Sequence, residues 1–385
     1  MQKKHDWWGT PRQITHVISD RKISWLELFS DLVFIIAIHY LISGLSEDIS
    51  RLNIGRFVLV FLLVFDIWNN FVLYFDLHGN SSVRNTFLTI VLVAEVALLA
   101  ATITTFFAGN YQPFIGMYLL LQVFMIYLWW RVVHFDPAHM LTIRPYLISA
   151  MVQLLLLVAT FFIKNIAVQT ILIVIVVLLK SVILISERHN FDLEFRQRKI
   201  PFEISDALQE RYGTFTMIIL GEAVATIVEQ VAARLTLTTI FQFLLLMISV
   251  VSIFWLYYAL IDSVHVKGKN YLKLVSFRGV HITFLLMLSL ETFFAVNLFK
   301  QDTLFVRLGF VTSLILTISL IFILKAFSTL SWTEKRDFWW GGSLMLLLYG
   351  FTFVNAGILV LVSDLYLVTL IILHERALFL RNQLI

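Results

Sequence analysis

The chain has 385 residues, of which 59% are hydrophobic, 15% aromatic and 14% charged, with a formal net charge of +4. Soluble domains carry about 25% charged residues; that deficit and a mean hydropathy of +0.87 exclude a soluble enzyme, a disordered chain and a nucleic-acid module. Cysteine is absent, which removes disulfides and thiolate metal sites, and 5 prolines exclude a proline-rich or collagen-like chain.

In chain order, residues 1–22 are polar and basic and lack the pattern of a secretory leader. The first apolar run is therefore expected to remain as the first span. Crossing ~30 Å of hydrocarbon takes about 20 apolar residues. Stretches of that kind occupy 23–45, 54–77, 84–107, 112–135, 144–163 and 166–186. A second set occupies 211–233, 238–262, 275–299, 305–330, 338–355 and 357–378. Only Asn355-Ala356-Gly357 separates the last two, so one long tilted helix is the alternative there. Residues 187–210 form the longest polar connection and read equally as an amphipathic surface helix or a solvated linker. Residues 379–385 form a C-terminal tail. Pro113 and Pro145 are read at helix starts, where proline is tolerated.

The expected class is an all-α polytopic membrane protein with about twelve transmembrane helices. With twelve spans, one side holds both termini and 23 of the 29 basic residues. The other side holds Arg51, Arg56, Lys164, Arg234, Lys300 and Arg307. This asymmetry predicts cytoplasmic termini. Trp25, Trp129 and Trp130 fall in the same inner half and read as an interfacial belt.

Landmarks recur near half the chain length. Ser30-Asp31 matches Gly221-Glu222, Ser82-Val83-Arg84 matches Ser276-Phe277-Arg278, and Arg131 matches Lys325. These predict two parallel six-helix repeats, 23–186 and 211–378, related by an axis along the membrane normal.

The acids at mid-span carry the functional reading. Glu95 and Glu222 each lie 11 residues beyond an arginine, Arg84 and Arg211. That is ~16 Å at 1.5 Å per residue, near the bilayer centre. Asp66 lies mid-span, Asp31 two turns into the first span and Glu291 deep in the ninth. Asp364 and His39 lie in outer halves of their spans. Glu27 and Asp31 share a face at i,i+4. Lys180, Arg131 and Lys325 are read near cytoplasmic ends, where they can snorkel, so no base is expected at the depth of the acids.

Five charged, lipid-facing acids would cost ~12–18 kcal/mol even on the mild insertion scale. They are therefore expected to face the interior, neutralised by protons, polar groups or cations. Each acid alone reads equally well as hydrogen-bonding glue between helices. Together, without a central base, they point to a proton or monovalent-cation pathway through Glu27, Asp31, Asp66, Glu95, Glu222 and Glu291. His281, one turn after Arg278, is a relay candidate, or an interfacial hydrogen-bonding residue. Arg84, Arg131, Arg211 and Arg278 are the expected charge partners. Gly221 beside Glu222 leaves room for a backbone or an ion.

The segment Trp25-Leu-Glu27-Leu-Phe-Ser-Asp31-Leu-Val-Phe, with Glu210-Arg211-Tyr-Gly213-Thr-Phe215 and Leu220-Gly221-Glu222, resembles the bacterial low temperature requirement A (LtrA) family. The resemblance extends over nearly the whole chain. It implies a polytopic bacterial inner-membrane protein linked by name to growth in the cold, with no substrate or catalytic set. Phe29-Ser30-Asp31 is also similar to the first helix of lysosomal and bacterial potassium channels, which carry Arg-x-x-x-Phe-Ser-Asp. Here Trp25 stands at the arginine position, and the second half carries Leu-Gly-Glu. That likeness implies a pore lined by spans 1 and 7 and held by Asp31 and Glu222.

The leading expectation is a non-enzymatic transport protein for protons or monovalent cations. It requires Asp31→Asn or Glu222→Gln to abolish flux while leaving expression intact. A proton-coupled organic-solute carrier, a lipid-modifying enzyme and a membrane-state scaffold are the alternatives. No His-Glu-x-x-His, Gly-x-Ser-x-Gly or clustered His at metal-ligand spacing is present, so no catalytic residue, metal or cofactor is expected. The expected partners are the lipid bilayer and the transported cation. Anionic lipid at the basic cytoplasmic rim and a homo-oligomer are compatible with the pattern. No nucleic acid is expected.

Overall fold

The computed structural model describes residues 9–15, 21–262, 264–328 and 345–382. The long helices are α1 (Trp25–Glu47), α2 (Arg51–His78), α3 (Val83–Phe107), α4 (Gln112–Phe135), α5 (Met140–Ala159) and α6 (Ile166–Ser186). A shorter α7 (Arg188–Gln197) follows, then α8 (Asp206–Ala233), α9 (Leu237–Ile261), α10 (Tyr271–Leu298), α11 (Leu304–Lys325) and α12 (Ala356–Asn382). Among the described residues there is no strand, only an isolated bridge between Glu203 and Lys267.

Among the described residues, eleven helices are long and apolar enough to cross a membrane. This agrees with eleven of the predicted stretches. The predicted span at 338–355 falls largely on residues outside those described. Its remainder contains a single helical turn, Leu348–Phe351, and α12 starts separately at Ala356.

Local chemistry explains the helix limits. Ser24 caps α1: its hydroxyl accepts from the Glu27 amide, and the Glu27 carboxylate accepts from the Ser24 amide. Side-chain oxygens of Ser50, Ser82, Asn165, Thr236 and Thr303 accept first-turn amides at the starts of α2, α3, α6, α9 and α11. After α3, Gly109 takes φ +85°, the left-handed conformation that favours glycine. α8 begins earlier than the apolar count implied, at Asp206, with the polar residues Gln209, Glu210 and Arg211 inside its first two turns. α5 also begins early, at Met140. Pro145 therefore lies inside the helix rather than at its start, and its missing N–H removes one backbone bond.

Residues 188–197 of the predicted connection form α7, which buries Glu194 and Phe195. Phe191 stacks on Tyr271 at 4.1 Å, and Asp192 accepts from the Tyr271 amide at 2.6 Å. Arg198 bonds Asp136 at 2.9 Å and Glu194 at 2.9 Å. Burial opposes its charge, but these carboxylates outweigh it and hold the guanidinium above its ordinary range.

The chain divides into two compact units. The first is Met1–Phe215 with Lys267–Ser276, and the second is Thr216–Val266 with Phe277–Ile385. In the first, α1 lies against α2 and α3, and α4 lies against α2, α3 and α5. A column of rings, Phe57, Phe61, Phe65 and Trp68, runs along the enclosed α2. In the second unit, α9 lies against α11 and α12. Leu155, Leu178, Val182, Phe241 and Ile372 are among many exposed large apolar side chains, as expected where lipid replaces water.

Candidate functional site

The first unit holds a buried charge network. Because α1 is helical, Glu27 and Asp31 point to one face, and both are buried. Arg211, wholly buried on the second turn of α8, lies across that face. Its Nε donates to Asp31 Oδ2 at 3.0 Å, Nη2 to Oδ1 at 2.5 Å, and Nη1 reaches Glu27 Oε2 at 3.4 Å. Trp68 Nε1 donates to Asp31 Oδ1 at 2.8 Å. Arg21 grips both Glu27 oxygens at 2.9 Å and approaches Asp76 at 4.0 Å. Asp76 accepts from Ser205 at 2.7 Å, and Arg12 donates to the Asp76 backbone carbonyl. Tyr212 donates to Asn69 at 2.8 Å, closing the layer above.

Two guanidinium groups, Arg21 and Arg211, therefore meet the carboxylates of Glu27 and Asp31, and Arg12 donates to the backbone at Asp76 and Leu77. This corrects the expectation that no base shares the depth of the acids. The physical reason is distance along the chain: Arg211 stands 180 residues from Asp31, and only the packing of α8 against α1 joins them. Trp68, a buried donor to Asp31, is a member of the cluster that the sequence reading did not single out.

Asp66 has its own cation. Lys180 reaches inward from α6 to bond Asp66 and Tyr118, and Asn70 donates to Asp66 at 3.0 Å. The long lysine stem lets a residue near a helix end act at mid-span, where snorkelling outward was expected. Arg131 does not snorkel either. It is 2% exposed, with Tyr127 and Phe135 ring centroids at 5.9 and 6.0 Å. Arg84 donates to Tyr127 Oη at 3.0 Å.

Glu95, half-buried on α3, has one buried oxygen without a hydrogen-bond partner. The structure thus separates the predicted acids of the first unit into neutralised ones, Glu27, Asp31 and Asp66, and Glu95, for which no ion pair is seen among the described residues.

In the second unit, Glu222 is buried and accepts from Thr226 at 3.2 Å. Beside it, a Cβ added at Gly221 would meet nothing within 4 Å. His281 is wholly buried, its Nε2 3.1 Å from Tyr257 Oη, with Arg278 on the preceding turn also buried. Glu291 on α10 is 2% exposed, and its electrostatic neighbour is Asp364 on α12, 3% exposed. Ser249 of α9 donates to Asp364 Oδ1, while Oδ2 has no hydrogen-bond partner. No basic side chain forms an ion pair with either acid among the described residues.

Asp364 was legible only as an acid in an outer half-span. The Ser363-Asp364 dipeptide, like Ser30-Asp31, was the available signal. A cavity of about 450 Å³ lies in the same unit, lined by Thr226, Glu229, Gln230, Arg234, Gln242 and Lys300 among others.

A chain whose described residues include eleven helices of spanning length, with charged groups held inside them, is a polytopic membrane protein. The chain belongs to the bacterial low temperature requirement A family: the family profile described as Bacterial low temperature requirement A protein (LtrA) matches residues 22–375. No curated protein matches the chain.

Proposed function

We propose that this protein moves protons or monovalent cations across the bacterial inner membrane. The observation that carries the reading is the buried Glu291 and Asp364, two carboxylates in one helical unit without a paired base among the described residues. Two such groups in a low-dielectric interior require a mobile positive charge, a proton or a cation, to be held there without large cost. Ser249 donates its hydroxyl to Asp364, and Glu222 is the further acid of the pathway in the same unit. The balanced cluster of Glu27, Asp31, Asp76, Arg12, Arg21 and Arg211 is assigned a fastening role.

In this reading both termini are cytoplasmic. Residues 23–186 and 211–378 are parallel six-helix repeats joined by 187–210, and the activity is transport without catalysis. Growth in the cold, which the family name evokes, then reflects ion balance across a stiffened membrane. The test is flux in proteoliposomes, with a pH dye and an imposed potassium gradient. Glu291→Gln and Asp364→Asn are expected to abolish a flux that the unaltered protein supports. Absence of proton, sodium and potassium flux in the unaltered protein overturns the proposal.

The 450 Å³ cavity favours a second reading, a proton-coupled carrier of a small organic solute. Arg234, Lys300 and Glu229 would suit a solute bearing both charges. Solute-dependent acidification of the vesicle interior, lost in Glu229→Gln, distinguishes it.

A further inference from the structure

Arg131 presents an unresolved charge. A guanidinium remains protonated in proteins and carries five N–H donors. Here its Nε, Nη1 and Nη2 are all buried, and none has a hydrogen-bond partner. Tyr74, 1% exposed, also has a buried hydroxyl without a partner. Tyr74, Arg84 and Tyr127 are the ionisable groups nearest Arg131 in electrostatic terms, and none of them is a carboxylate.

The faces of Tyr127 and Phe135 give part of the missing stabilisation, as does the negative end of α4. Neither supplies hydrogen-bond acceptors to three nitrogens. Among the described residues of the first unit, the buried Arg211 meets carboxylates, and the half-buried Arg56 meets Asn53, Tyr111 and the Phe107 carbonyl. Arg131 differs from both, with all three of its nitrogens lacking an acceptor among the described residues.

Position indicates what the acceptor is. Arg131 lies four residues before the end of α4, and Arg84 is the second residue of the neighbouring α3. Four residues of helix span ~6 Å, within the ~5–8 Å of headgroup region on each side of a bilayer. Arg84 is half-exposed and donates to the partly exposed Tyr127, whose ring lies against the enclosed Arg131. Phe87 and Trp130, 58% and 55% exposed, offer apolar surface on the same two helices.

We propose that Arg131 and Arg84, with the Tyr74 and Tyr127 hydroxyls, bind a phosphate group. Its oxygens accept from the two guanidinium groups, the geometry in which arginine binds phosphate most strongly. Arg84 swings from Tyr127 to admit it. The group is the phosphodiester of an anionic phospholipid or free phosphate, and the experiment separates the two sources.

The full chain is purified in neutral detergent, and its thermal midpoint and bound lipid (by native mass spectrometry) are read. Phosphatidylglycerol, phosphatidylcholine and inorganic phosphate are added separately. Stabilisation by phosphatidylglycerol beyond phosphatidylcholine assigns a lipid, and stabilisation by inorganic phosphate assigns the free ion. Arg131→Met and Arg84→Gln are each expected to weaken that binding about tenfold, the loss of one or two charge-assisted bonds. Lys269→Gln, an exposed basic residue elsewhere, is expected to leave it unchanged. Arg84→Gln, at a half-exposed position, keeps the test decisive if Arg131→Met fails to fold. No response to any phosphate compound overturns the proposal, as does equal binding by Arg84→Gln and the unaltered chain.

Discussion

Arg211 and Asp31 form an ion pair with neither residue exposed to any measurable degree, Nη2 to Oδ1 2.5 Å and Nε to Oδ2 3.0 Å. The two-point contact fixes the start of α8 against α1, and Trp68 completes the carboxylate's shell. A buried pair of this kind adds modest net stability when intact, but it is expensive to break, because the surviving charge has no water.

Asp31→Asn and Arg211→Met are each expected to destabilise the protein by ~3–5 kcal/mol. The double variant is expected to cost less than the sum, with a coupling of ~1–3 kcal/mol. Thermal unfolding in detergent reads this directly. Asp31→Asn is thus expected to reduce folded yield, contrary to the sequence-based expectation of intact expression. A thermal midpoint unchanged in Asp31→Asn would remove the fastening role.

Lys180 and Asp66 make a second, separable pair. Lys180→Met strands Asp66 with Asn70 and Tyr118 alone, at an expected ~1–3 kcal/mol. Adding Asp66→Asn to Lys180→Met should restore at least half of the loss, since both charges are then gone. The same unfolding measurement applies, and failure of the second change to restore anything would show that Lys180 acts by packing.

Glu291→Gln and Asp364→Asn should behave in the opposite sense. Each removes a buried acid without a paired base, so the thermal midpoint is expected to hold or rise. Flux in vesicles is expected to fall at least about tenfold, ~1.4 kcal/mol in barrier terms. Undiminished flux in both variants would move the pathway away from this pair.

Helix packing has its own test at Gly44. A Cβ there would lie 2.5 Å from the Phe107 ring, because α1 and α3 approach closely. Gly44→Ala is expected to cost ~1–3 kcal/mol through overpacking. Gly55→Ala, where a Cβ meets nothing within 4 Å, should be neutral or stabilising by ~0.5–1 kcal/mol. Equal effects at the two positions would contradict the close α1–α3 contact.

The helices were largely legible beforehand. The predicted stretch at 112–135 coincides with α4, and that at 166–186 coincides with α6. Differences lie at ends such as Asp206 and Met140, where the helix extends beyond the apolar run because backbone bonding, not hydropathy, sets its limit. The site was half legible. Glu27, Asp31 and Asp66 were identified as buried acids, and Arg211 was named as a charge partner. The inward reach of Lys180, the burial of Arg131 and the proximity of Asp364 to Glu291 were not.

Composition and the length of apolar runs determined by themselves that this chain is a polytopic helical membrane protein, because lipid forces each span to satisfy its own backbone and to be apolar along one continuous stretch. The pairing of charges was decided only by tertiary structure. Asp31 and Arg211 are 180 residues apart, and Asp66 and Lys180 are 114 apart. Hydropathy reports how deep a residue sits along its own helix. Which neighbour it faces depends on helix rotation and on packing against other helices, and those are set by contacts distant in sequence.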